Sequence, residues 1–212
     1  MPSLVTRFHL LIFGVTIAMV GVIVAHVPAS FAFPAHWRGS TADILWPRDR
    51  AIAAAPLLQI AMMAAFFLLG RALTKNHFAK TQHILDPVLT VTLATAAACQ
   101  LSLVFLAIGS DLDFFRLTAF GLAAILAIFA VVIFEAERHS YAGLRMPWRI
   151  GSDRAWVLVH RLTGIISGAA AVTLAWLAWA DPGPAVLVAS MTASLLAIPV
   201  VAALTSLLSR RL

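Results

Sequence analysis

Charge is what this sequence is poorest in. Lys, Arg, Asp and Glu make up 11% of its 212 residues, less than half of the roughly 25% usual in soluble globular domains. Hydrophobic residues make up 62%, and the mean hydropathy is +0.96. A chain so short of charge cannot cover itself with a water-facing surface, so it reads as an integral membrane protein. Cysteine is nearly absent as well. Cys99 stands alone inside an apolar run, which excludes an internal disulfide and leaves the compartment open. No Cys-x-x-Cys or His-x-x-x-His pair occurs. The close ligand pairs of zinc sites are therefore missing, and His26, His36 and Asp43 are expected in a structural loop with no metal. A phosphate-cradling glycine loop, a nucleophile motif and His-Glu-x-x-His are lacking too, as are an evident repeat and a low-complexity tract. The net charge of +6 lies in loops and ends, not in a basic stripe interleaved with aromatics, so direct nucleic-acid binding is not expected. Nothing calls for a cofactor.

Long apolar runs are what the sequence does have. They predict helices over about 8–27, 51–69, 87–108, 114–134, 152–180 and 185–208. The first follows Arg7 and precedes the small residues Ala29-Ser30, so signal-peptide cleavage stays open. Its apolar core is longer than most signal-peptide cores, and a retained helix is the expectation. Pro56 and Pro199 fall inside helices, where neighbouring helices can satisfy the freed carbonyls. Gln59 lies just inside the second span, and Gln100 is expected to hydrogen-bond across the bundle. Residues 71–86, with Lys75, His77, Lys80 and His83, read as a basic, amphipathic cytoplasmic loop. Trp176 and Trp179 suit an aromatic belt.

Orientation follows from the basic residues. With the N-terminus inside, Arg7, Arg71, Lys75, Lys80, Arg138, Arg145, Arg149, Arg154, Arg210 and Arg211 are cytoplasmic. Arg38, Arg48, Arg50 and Arg116 lie outside, and Arg161 in the fifth helix completes the 15. That asymmetry places both termini in the cytoplasm. The predicted fold is an all-α bundle of six transmembrane helices. An N-terminal two-helix unit (1–86) carries an extracytoplasmic loop at 28–50, and a four-helix unit (87–212) carries a cytoplasmic loop at 135–155.

The most informative stretch is 143–168, where a polar, basic, aromatic segment meets the start of an apolar helix. Ser152 or Asp153 can accept the free amide hydrogens of the first turn, so a helix should begin near Ser152. Trp156 suits a membrane interface. His160 shares a face with Trp156, Gly164 and Gly168 at a spacing of four, and the two glycines allow close approach of another helix, so His160 should point into the bundle. Arg161 either extends to the headgroups or serves a function. Glu135 and Glu137 end the fourth helix. Either can lie at the depth of Arg161 or Arg154 and pair with it, or both are simply solvated.

Gly143, Arg145, Pro147, Trp148, Ser152, Trp156, His160, Arg161 and Gly164 together resemble the C-terminal signature of the SdpI family of bacterial membrane proteins. The outer segment, with Pro34, His36, Gly39, Asp43 and Arg48, is similar to the N-terminal domain of unknown function that often accompanies that signature. The resemblance implies a multi-pass protein of the bacterial inner membrane. It also implies resistance to a membrane-active peptide toxin, with a second role in holding a transcriptional repressor at the membrane. The outer loop would then face the peptide, and Arg145, Trp148 and Arg149 a cytoplasmic partner. The alternative is a small transporter with a polar path through His160, Arg161, Gln59, Gln100 and Glu135. An intramembrane enzyme with His160 as general base ranks last, because no nucleophile or metal partner accompanies it.

Overall fold

A computed structural model of the chain describes residues 3–38, 41–138, 143–144 and 150–209, and within them all side chains except those of 37, 38, 75–77 and 80. The elements in order are α1 (Arg7–His26), β1 (Ala32–Arg38), β2 (Thr41–Pro47), α2 (Arg48–Ala72), α3 (Lys75–Ala107), α4 (Phe114–Phe134), α5 (Asp153–Ala180) and α6 (Pro184–Leu208). Among the described residues, six helices are long and apolar enough to cross a membrane. The shortest, α1, has 20 residues, about 30 Å of helix and hence one hydrocarbon thickness. The chain is a multi-pass membrane protein, and its side chains are sorted for lipid. Leu11, Leu57, Ile128 and Val172 are exposed, while Thr16, Gln59, Gln100, Ser102, His160 and Ser167 are buried. Polar groups inside and apolar groups outside suit a hydrocarbon solvent, where helices associate through packing and interhelical hydrogen bonds.

Two expectations are corrected. Residues 75–86 are not a loop but the first turns of α3, which runs on through Pro87 into the apolar span Thr81–Ala107. Phe78 and Thr81 are buried, and the Phe78 N–H bonds to the Thr74 carbonyl at 2.8 Å. The positions of Lys75, His77, Lys80 and His83 lie on this helix, which turns Phe78 and Thr81 into the protein. Residues 32–47 are not irregular either. Within them β1 and β2 pair antiparallel, so among the described residues the chain is helical with one two-stranded β element. Pro34 cannot donate to the ladder, and the register is irregular between Pro34 and His36 and again between His36 and Trp37.

The chain separates into two compact units, Met1–Thr118 with Asp181–Val188, and Ala119–Ala180 with Ala189–Leu212. In the first, α1 and α2 both pack on α3. Buried Gln59 donates from Nε2 to Thr16 Oγ1 and to the Leu93 carbonyl, each at 3.0 Å, tying the three helices together. His9 is buried near the start of α1. Its Nδ1 accepts the Thr6 N–H at 3.0 Å, so Nε2 carries the proton that goes to Thr90 Oγ1 on α3 at 2.9 Å. β1 rests on α2 and α3 through buried Phe33 and Ala35. Gly109, at φ 69°, ends α3, with the Ser110 N–H returning to the Phe105 carbonyl at 3.0 Å.

In the second unit, α5 buries a face at helical spacing that includes Trp156, Val159, His160, Thr163, Gly164 and Ser167. Gly164 is where α4 comes closest. A Cβ there would lie 2.8 Å from Phe134 Cβ and 2.9 Å from the Ala130 carbonyl oxygen. At Gly168 the nearest atom would be 3.7 Å away, an ordinary contact. The small-residue pair is thus one essential glycine and one with room to spare.

Candidate functional site

The start of α5 organises the site. Ser152 Oγ accepts the Ala155 N–H at 3.1 Å, and the Trp156 N–H reaches the Ser152 carbonyl at 3.0 Å. This is the cap expected at that position. Asp153 in the first turn is favourably placed at the positive end of the helix dipole. Arg138, just beyond α4, pairs with Asp153 and donates to the carbonyls of Gly151 at 3.3 Å and Ile150 at 3.5 Å. A single guanidinium therefore joins the segment after α4 to the approach to α5.

One turn further along α5, Trp156 and His160 hold two more points of the connection. Trp156 Nε1–H donates to the Ala136 carbonyl at 3.0 Å. The indole stacks on the His160 ring, with centroids 4.0 Å apart and planes 22° from parallel. His160 Nε2 lies 2.8 Å from the Leu144 amide nitrogen, and Nδ1 lies 2.8 Å from the Trp156 carbonyl oxygen. An amide can only donate and a carbonyl only accept, so the ring is neutral with its proton on Nδ1. Both nitrogens are committed to backbone, and no lone pair remains for base catalysis or proton relay in this conformation. Gly143 lies against the indole. A Cβ there would sit 2.7 Å from Trp156 Cη2, so glycine is what permits the Leu144 amide to reach the imidazole.

The sequence-predicted residues divide accordingly. Gly143, Trp156 and His160 converge on one cluster, and Gly164 sets the α4–α5 approach one turn deeper. Trp156 is buried, and its N–H has a carbonyl partner inside the protein. Arg145, Pro147 and Trp148 lie outside the described residues, as does Gly39. Among the described residues no ion pair joins Glu135 to Arg154 or Arg161, and Glu137 has an interaction of its own. The ion pair that bridges the connection is Arg138–Asp153, and Arg161 lays its guanidinium over the Phe134 ring, 5.6 Å from the centroid. Beside these groups is a cavity of about 330 Å³, lined by Phe134, Glu135, Arg138, Trp156 and Arg161 among others.

On the hairpin, His36 Nδ1 meets Asp43 Oδ1 at 2.6 Å across the two strands, with both side chains about one-third exposed. Arg48 closes the hairpin's base, donating from Nη1 to the Val27 carbonyl at 2.6 Å and from Nε to Asp49 at 2.9 Å. Pro34 lies in β1 opposite Leu45. Ile44, Leu45 and Trp46 of β2 form an exposed apolar row.

Of the residues assigned to a polar path, Gln59 is tied to Thr16 and Leu93. Gln100 is buried with neither amide atom hydrogen-bonded, contrary to the expected cross-bundle bond. The Arg138–Asp153 pair has one signal in the sequence, opposite charges that bracket a connection. No local pattern in the sequence links His9 to Thr90, 81 positions away. Compared with protein families, curated proteins and solved structures, the chain matches none.

Proposed function

We propose that the chain is a non-enzymatic, SdpI-like protein of the bacterial inner membrane, with both termini cytoplasmic. In this reading it protects its host against a membrane-active peptide toxin, signals by holding a transcriptional repressor at the membrane, or does both. The observation that carries the proposal is the convergence of spaced signature positions. Gly143, Trp156 and His160, scattered over 18 positions of sequence, meet in one cluster in which every polar atom of the two rings has a backbone partner. Such a cluster holds Gly143 and Leu144 against the start of α5, and fixed positions of this kind are what a docking surface for another protein requires. The exposed apolar row of the hairpin, with the His36–Asp43 pair beside it, is the surface offered to a peptide in this reading. A transporter is the second reading. Of the groups on its path, His160 has both nitrogens committed to backbone and Gln59 is tied to Thr16 and Leu93, which leaves Glu135, Arg161 and Gln100 to exchange protons or bind cargo.

The test is survival. Toxin-sensitive bacteria expressing the chain are challenged with a panel of membrane-active bacterial peptides, beside His160→Ala at equal membrane abundance. Protection by the parent and its loss in the variant are expected. No protection against any peptide by the parent, together with no retention of a cytoplasmic regulator at the membrane, would defeat the proposal.

A further inference from the structure

The cavity beside the cluster contains two charges of opposite sign without an ion-pair partner among the described residues. Arg138 and Asp153 neutralise each other. Glu135, Glu137 and Arg161 line the cavity too; Glu137 has an interaction of its own, while Arg161 and Glu135 are both exposed and, among the described residues, take part in no salt bridge. Arg161 has only the face of Phe134 beneath it. The volume of about 330 Å³ is at the small end of the about 300–1,000 Å³ usual for pockets that hold small groups.

Depth in the membrane narrows what such a cavity takes. α5 has 28 residues, about 42 Å of helix against about 30 Å of hydrocarbon, so about 12 Å is left for the two headgroup layers. Arg161 follows Asp153 by eight residues, about 12 Å along the axis. With the helix centred on the bilayer, its Cα falls about 6 Å inside the hydrocarbon boundary, a depth from which a long arginine side chain can reach the headgroups. Glu135 follows α4 directly, at the same end of the helix pair, because Phe134 contacts Gly164. Val157, which lines the same cavity, is an exposed apolar residue. A ligand that enters here has acyl chains in the bilayer and a polar end in the cavity.

We propose that this cavity binds the headgroup of an ethanolamine phospholipid, the phosphate diester on Arg161 and the ammonium on Glu135. The charge pattern selects this headgroup. A guanidinium pairs well with a phosphate, and a carboxylate accepts hydrogen bonds from a primary ammonium. A choline headgroup has no N–H to give Glu135, and a glycerol headgroup brings no positive charge to it. The inference does not depend on what the protein protects against or signals to.

The full chain, purified in mild detergent and stripped of lipid, is offered equal amounts of phosphatidylethanolamine, phosphatidylcholine and phosphatidylglycerol with identical acyl chains, and bound lipid is counted by native mass spectrometry. Retention of the ethanolamine lipid is expected to exceed that of each of the others by about threefold to tenfold, the range open to one or two partly exposed charge-assisted contacts. Glu135→Gln should bring ethanolamine down to the level of choline. Arg161→Gln should lower all three, and Arg154→Gln, outside the cavity, should change nothing. Equal retention of the three lipids by the parent overturns the proposal whether or not the variants fold, as does a preference that survives both cavity substitutions. Displacement of the lipid by soluble phosphoethanolamine at equal concentration would make this a site for a free phosphate ester and would also overturn it.

Discussion

The Leu144 amide donates to His160 Nε2 at 2.8 Å, across 16 residues of sequence, in a buried setting. A buried imidazole that accepts a backbone hydrogen bond at one nitrogen and donates one at the other is a structural pin. With Trp156 on Ala136 and Arg138 on Gly151, it fastens the α4–α5 connection at separate points along its length.

Replacing His160 separates the ring's hydrogen bonds from its packing. His160→Phe keeps a ring on Trp156 but leaves the Leu144 N–H buried without an acceptor, for an expected loss of about 1–3 kcal/mol. His160→Ala loses the stack as well, a further ~0.5–1.5 kcal/mol before any cavity cost. Thermal unfolding in a matched detergent should rank them parent, Phe, Ala. A His160→Phe variant as stable as the parent would show that the bond to Leu144 contributes nothing.

The two glycines of α5 should behave differently. Gly164→Ala pushes a methyl into Phe134 and the Ala130 carbonyl, an overpacking worth about 1–3 kcal/mol. Gly168→Ala meets only an ordinary contact, and alanine favours the helix by about 1 kcal/mol, so it should be neutral or stabilising. Equal effects of the two substitutions on unfolding temperature would refute the close α4–α5 approach at Gly164.

The helices were legible because each apolar run is long enough for the membrane and carries its own stop. The expected span at 114–134 coincides with α4, and Ser152 caps α5 as anticipated. The hairpin was not legible. Its prolines and polar residues mask the alternation that would mark a half-buried strand, and only β1 has a buried side. The start of α3 was missed because charge was taken for loop, when Phe78 and Thr81 were its buried face. In the site, Gly143, Trp156 and His160 were all named in advance, but their mutual contact was not. The path from Leu144 to His160 runs through a connection with no periodicity, and spacing arguments apply only within regular elements. Depth along the helices says nothing of the Arg138–Asp153 pair, because Arg138 lies beyond the end of α4 and reaches the first turn of α5 across an irregular connection.

Gln100 gives a prediction of opposite sign. Both atoms of its amide are buried without a hydrogen bond, so Gln100→Leu removes an unpaid desolvation cost at nearly constant volume. Stability should rise, by as much as about 1–3 kcal/mol. A fall in unfolding temperature would mean that the amide has a partner in the membrane.

The hairpin should tolerate substitution structurally. The His36–Asp43 pair is about one-third exposed, and Asp43→Asn should lower stability by no more than about 1 kcal/mol. If the hairpin meets the peptide, the same variant loses protection at unchanged membrane abundance. Full protection by both Asp43→Asn and a Leu45→Ser variant would move peptide contact away from the hairpin.

The pinned connection is tested most directly by hydrogen exchange at the Leu144 amide, compared between the parent and His160→Phe in the same detergent. The parent should protect this amide, and the variant should exchange it about 5- to 150-fold faster, the factor corresponding to about 1–3 kcal/mol. An amide that exchanges freely in the parent, or at the same rate in both proteins, would contradict the bond on which the site is built.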